Sequence, residues 1–127
     1  MTGISHRLAH TLERELHIAD GEVIVREGED GDDMFLIQSG AVEVFHTRNG
    51  REMVAARLGK GEFFGEMSLL ESLPRDATAR AVGPTVLLTL GPGALLLRLR
   101  QDPSLAIEML HVLSGRIRVL NARIGDT

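Results

Sequence analysis

The chain has 127 residues and a formal charge of −4 at pH 7, long enough for one domain with its own core and too acidic for a typical nucleic-acid surface. The absence of cysteine excludes disulfides, thiolate metal centres, iron–sulfur clusters and cysteine nucleophiles together. Hydrophobic residues at 43% and charged residues at 25% describe a globular chain rather than a disordered one, and with neither Tyr nor Trp the core is expected to be aliphatic.

Ile4, Leu8, Leu12 and Leu16 recur at every fourth position, which predicts a short amphipathic docking helix over residues 1–17. No apolar run approaches the roughly 20 residues needed to span a bilayer, and the first ten residues lack the apolar middle of a signal peptide. The expectation is a cytoplasmic protein without a membrane partner.

From Gly21 to about Leu90 the apolar period becomes two. Segments 22–27, 33–39, 41–47, 51–58, 77–82 and 85–90 read as strands, and 27–33, Ser39-Gly40, Asn49-Gly50, 59–61 and Gly83-Pro84 read as the turns between them. Asn49-Gly50 is the strongest hairpin signal, because both central positions of a type I′ turn need positive φ. Eight or so short strands with glycine corners predict a mainly β fold with flanking helices: an antiparallel jelly-roll (double-stranded β-helix) barrel over residues 18–91.

From Pro92 the pattern is helical again, in two pieces split by Asp102-Pro103, with Asp102 as N-cap and the second piece running to about residue 124. Ala106, Leu110, Leu113, Ile117, Leu120 and Ile124 alternate spacings of four and three, an a/d seam. Leu105, Met109, Val112 and Val119 form a second stripe. The seam predicts a homodimer through residues 103–124; the competing reading buries both stripes within one chain.

Most chemical candidates fail on spacing. Gly59-Lys60-Gly61 lacks the spacing of a phosphate loop. The acidic loop 27–33, with Asp30, Asp32 and Asp33, lacks the alternation and distal Glu of a calcium loop and reads as a solvated turn. His6, His10 and His17 have no accompanying ligand cluster, so no metal site is expected. His46 and His111 read as packing or rim residues. Ser39, Ser68, Ser72, Ser104 and Ser114 lack a nucleophile elbow, and no catalytic constellation emerges. An enzyme is not expected.

Residues 61–81, GEFFGEMSLLESLPRDATARA, stand apart. Gly65 permits close backbone approach, residues 67–71 can form a helical turn whose free N–H groups face an anion, and Arg75 can meet a phosphate in bidentate fashion. Glu66 would accept hydrogen bonds from sugar hydroxyls. A ligand with a phosphate and a hydroxyl, a nucleotide, satisfies both groups; a salt bridge between Glu66 and Arg75 satisfies them equally.

FFGEMSLLESLPRDATARA resembles the phosphate-binding cassette of cyclic nucleotide-binding domains, the module of bacterial catabolite activators, protein kinase A regulatory subunits and cyclic nucleotide-gated channels. GEVIVREGEDGDDMFLIQSGAVEVF is similar to that family's glycine-punctuated early strands, and the segment from Pro92 to its hinge and lid helices, so the resemblance covers nearly the whole chain as one domain with its cassette at 63–79. It implies that Arg75 binds the cyclic phosphate, that Glu66 binds the ribose 2′-hydroxyl, and that backbone amides of Gly65, Met67, Ser68, Asp76 and Ala77 complete the cradle. By spacing alone it puts lid contacts at Leu120 and Asn121, with Arg116 one turn earlier.

Asp76 departs from the family pattern, placing a carboxylate beside an anion site. Ala77 stands where cGMP-preferring relatives tend to carry Thr, which favours cAMP over cGMP. The helix-turn-helix that catabolite activators carry after the long helix has no counterpart before Thr127, so no direct nucleic-acid contact is expected. The resemblance implies a ligand sensor that couples cyclic nucleotide binding to repositioning of a dimerisation helix, with no cofactor beyond the nucleotide. Two rivals are a ligand-free interaction domain of the same fold and a haem or redox sensor using histidine ligands.

Overall fold

The computed structural model describes residues 13–125. Residues up to Ala94 form one compact unit and residues from Leu95 a second. In chain order the elements are β1 (Glu13–Ile18), β2 (Val23–Val25), β3 (Met34–Arg48), β4 (Arg51–Gly59), β5 (Phe63–Phe64), α1 (Glu66–Glu71), β6 (Thr78–Leu90), α2 (Pro92–Gln101) and α3 (Ser104–Gly125). All strand pairings are antiparallel, in the order β1-β6-β3-β4, with β2 added to β6 and β5 to β3. The fold is the expected antiparallel jelly roll with flanking helices, but its ladder is open rather than closed into a barrel.

The four-residue spacing misleads at the start of the described chain. The helix expected over 1–17 gives way to a strand at Glu13, paired with β6 from Glu13↔Leu90 to Ile18↔Thr85. Leu16 and Ile18 alternate with more exposed neighbours and pack on the core, a period of two that outweighs the helical spacing once β6 offers an edge. The remainder of that predicted helix, with His6 and His10, lies outside the described residues.

Asn49 and Gly50 both have positive φ, 54° and 76°, and turn β3 into β4 as expected. Ser39-Gly40 and Gly83-Pro84, read as turns, are instead bends within two long strands. One residue, Gly40, faces the three residues 83–85 between the pairs Ser39↔Val86 and Ala41↔Val82. A Cβ on Gly40, whose φ is +86°, would lie 2.5 Å from the Pro84 carbonyl oxygen and from Thr85 Oγ1, so only glycine lets the strands close at this corner. Thr85 is 2% exposed; its hydroxyl accepts the Ala41 N–H at 3.3 Å and lies 3.0 Å from the Ala41 carbonyl oxygen.

Phe35, Ile37, Val42, Leu58, Phe64, Ala79 and Leu87 form the core between the sheet halves. It is less purely aliphatic than expected, since all four phenylalanines are buried and Phe35 and Phe64 stack with centroids 5.0 Å apart. On the outer face Arg80 donates to Glu43 at 2.9 Å and to Glu52 at 3.1 Å, Arg57 donates to the same Glu43, and the Arg80 guanidinium lies 4.4 Å from the Phe45 ring centroid. The Arg80 hydrogen bond, then that of Arg57, holds the Glu43 carboxyl below its ordinary value.

In the second unit the break at Asp102-Pro103 is as predicted. The Asp102 carboxylate accepts the Ser104 N–H at 3.2 Å, which satisfies an otherwise unpaired donor of the first turn of α3. Leu110, Ile117, Leu120 and Ile124 are exposed along α3, while Ala106 and Leu113 are half-buried. Among the described residues no helix is long and apolar enough to cross a membrane.

Candidate functional site

The site is organised by one buried cation. Arg75 lies in the segment between α1 and β6 and is 6% exposed, a position a guanidinium tolerates only when its donors are satisfied. Its Nη1 donates to the Asp33 carbonyl at 2.7 Å and to the Gly65 carbonyl at 3.3 Å. Its Nη2 donates to the Asp33 carboxylate. The guanidinium carbon sits 5.5 Å from the centroid of Phe35, so the cation rests on a ring that is also part of the core.

Two glycines make room for this arrangement. A Cβ at Gly31 would lie 2.4 Å from Nη2 and 2.7 Å from Cζ of Arg75; one at Gly65 would lie 2.8 Å from Nη1. Gly65 is needed for a second reason, since it turns β5 into α1 with φ 83°, a conformation that side chains disfavour. The six-residue α1 follows at once and ends at Ser72, whose N–H donates to the Ser68 carbonyl at 3.1 Å.

Loop 27–33 contributes most of the remaining wall. Its Gly28 N–H donates to the Arg75 carbonyl and its Glu29 carbonyl accepts the Arg75 N–H, both at 2.8 Å. A cavity of about 250 Å3 opens here, lined by Arg75, Phe35, Asp33, Gly31, residues Ile24 to Arg26, and Glu29 and Asp30. Its lining residues thus include two that carry guanidinium groups and three that carry carboxylates. Attraction for an anion must come from directed bonds rather than from net positive charge.

The sequence-named residues fall into three groups. Gly65 and Arg75 are in direct contact. Glu66 opens α1 half-buried; Ser68 and Ala77 are buried; Met67 and Asp76 are exposed. Of these residues the cavity lining contains Arg75. Arg116 and Asn121 lie on α3 in the second unit, the first half-buried and the second exposed.

The loop read as a solvated turn does keep Gly28, Glu29, Asp30 and Asp32 exposed, but it also packs Gly31 and Asp33 against Arg75, and the Asp33 carboxylate, which that reading left in solvent, is paired with the guanidinium. A signal was present: Asp33 immediately precedes the apolar run Met34-Phe35-Leu36-Ile37, and a carboxylate at the mouth of a buried strand needs a partner. Among the described residues no group of three or more His, Asp or Glu side chains is placed to hold a metal ion.

The chain matches the family model described as cyclic nucleotide-binding domain over residues 15–102, from within β1 to the break between α2 and α3. It is 40% identical over 85 residues to the cAMP-dependent protein kinase regulatory subunit of Debaryomyces hansenii, covering 67% of this chain and 18% of that protein. It is 40% identical over 99 residues to the cyclic AMP receptor protein of Thermus thermophilus, covering 77% and 46%. The crystal structure of the Thermus thermophilus catabolite activator protein superposes with a TM-score of 0.78 at 35% identity, covering 94% of this chain and 56% of that one. The chain thus spans less than two thirds of the length of each.

Proposed function

Because the chain belongs to the cyclic nucleotide-binding domain family, we propose that it is a regulatory sensor domain whose ligand is a cyclic nucleotide, cAMP in preference to cGMP. The observation that carries this reading is Arg75: a guanidinium buried to 6% exposure at the wall of a cavity, with Gly31 and Gly65 packed against it where any side chain would collide. A buried, oriented fork of donors suits a singly charged phosphodiester, which accepts two parallel hydrogen bonds.

In this reading Arg75 binds the cyclic phosphate and Glu66 the ribose hydroxyl, with backbone N–H groups of Gly65, Met67, Ser68, Asp76 and Ala77 around the phosphate. Exposure of the Asp76 side chain keeps its carboxylate in water, where its repulsion of an anion is weakest. Arg116 and Asn121 are the residues the family resemblance offers for the base. The finer part of the proposal is that occupancy is reported through α3, whose exposed Leu110, Ile117, Leu120 and Ile124 serve a homodimer. No catalytic step and no additional cofactor are proposed.

A second reading, a ligand-free interaction domain of the same fold, is supported by the carboxylate of Asp33 on Arg75 and by the excess of carboxylates around the cavity. Thermal unfolding with added nucleotide separates the two. A ligand that binds only the folded state at a hundred times its Kd stabilises by about 2.7 kcal/mol, so cAMP should raise the melting temperature more than cGMP at equal concentration. No shift with either nucleotide favours the interaction domain.

A further inference from the structure

We infer that Glu27 is a positioning residue for Arg75: it anchors loop 27–33, which holds this arginine at both its backbone and its guanidinium. The consequence for nucleotide affinity rests on the reading above. The geometry of the anchor does not.

Loop 27–33 grips Arg75 twice. Gly28 and Glu29 take its carbonyl and its N–H, and further along Gly31 and Asp33 meet its side chain. Such a loop fixes the arginine only as well as it is itself fixed, and its first residue carries the attachment. The Glu27 N–H donates to Thr78 Oγ1 at 3.0 Å, tying the loop to the first residue of β6, three positions beyond Arg75. The Glu27 carboxylate accepts the Thr47 N–H at 3.1 Å and an Arg48 guanidinium N–H at 2.7 Å, tying the same residue to the far end of β3.

The His46 ring lies on the same carboxylate, Nδ1 to Oε2 3.9 Å. The Arg48 hydrogen bond, then the Thr47 N–H, holds the carboxyl below its ordinary value, so the anchor stays ionised near neutral pH. Glu27 is not itself one of the residues lining the cavity, and its bonds run to Thr78, Thr47 and Arg48 rather than to the Arg75 guanidinium, so it acts through the loop.

The test uses the full chain with Glu27→Ala and Glu27→Gln, cAMP titration, and amide hydrogen exchange without ligand. The expected result is a Kd raised about tenfold in Glu27→Ala and only about threefold in Glu27→Gln, which keeps an acceptor for the Thr47 N–H. Exchange at Gly28 and Arg75 should accelerate in Glu27→Ala, while the Ile37 amide, bonded to the Glu62 carbonyl in another part of the sheet, keeps its protection. Unchanged exchange at Gly28 and Arg75 overturns the inference, as does an equal loss at Ile37, which would mark general destabilisation. If the wild-type chain takes up no cAMP, the nucleotide reading fails, and exchange at Gly28 and Arg75 still decides the role of Glu27.

Discussion

Replacing Gly31 by alanine places a methyl group against the Arg75 guanidinium. The added carbon would sit 2.4 Å from Nη2 and 2.7 Å from Cζ and Nε, whereas unstrained carbon contacts begin at about 3.5 Å. The guanidinium must therefore retreat by roughly 1 Å. It has little freedom to do so, because Asp33 and Gly65 hold it and Phe35 lies beside it. A retreat of that size takes the 2.7 Å bond to the Asp33 carbonyl out of hydrogen-bonding range. Hydrogen bonds to charged groups contribute about 1.5–3 kcal/mol each, so with partial relaxation the expected loss is about 2–3 kcal/mol.

Urea unfolding measures this loss directly, provided the denaturant slope is unchanged. Gly59→Ala is the control, since nothing lies within 4 Å of a Cβ there and its φ is not positive; it should stay within about 0.5 kcal/mol of the parent. In an Arg75→Ala background the three atoms nearest the new methyl are gone, and Gly31→Ala should then also cost less than about 0.5 kcal/mol. Equal stability of Gly31→Ala and Gly59→Ala, or an undiminished loss in the Arg75→Ala background, would refute the packing argument.

Thr85→Val removes a buried hydroxyl and leaves the Ala41 N–H at the sheet corner without its acceptor, so urea unfolding should show a loss of about 1–3 kcal/mol; a change under about 0.5 kcal/mol contradicts this. Glu43 has a folded-state pKa depressed below its ordinary 4.5, first by Arg80 and then by Arg57, so its contribution is complete above that value and disappears as pH falls through the folded-state pKa. Arg80→Ala should accordingly lose less stability than the parent as pH falls below about 4.5, and parallel acid titrations of stability would count against it. Ile117→Glu introduces a charge on the exposed apolar face of α3; if that face forms the proposed homodimer, sedimentation should show a dimeric parent and a monomeric variant, and a monomeric parent or an unchanged mass distribution rules out that face as the interface.

Local chemistry made part of the fold legible in the sequence. Asn49-Gly50 specifies its turn through φ alone, Asp102-Pro103 specifies a helix boundary through a cap and a missing N–H, and Phe63 to Ala81 carries a turn, a short helix and a cation in one contiguous segment. Features that depend on distant partners were not legible. Glu13 to Ile18 is a strand because β6, about 70 residues later, pairs with it, while its own spacing continues a helical pattern. Gly40 and Gly83 signal a bend and a turn with the same residue, and only the register across β3 and β6 distinguishes them. Asp33 read as solvated because its partner Arg75 lies 42 positions away.

The proposed role of Arg75 as the anion-binding group of a cyclic nucleotide site is checked by isothermal titration of the parent chain, Arg75→Ala and Arg75→Lys with cAMP, after circular dichroism has established that all three are folded. If Arg75 holds the phosphate, the parent binds saturably, Arg75→Ala loses roughly a hundredfold in affinity, and Arg75→Lys recovers only part of it, restoring the charge without the fork. Binding to folded Arg75→Ala within a few-fold of the parent, or no binding to the parent, would contradict it.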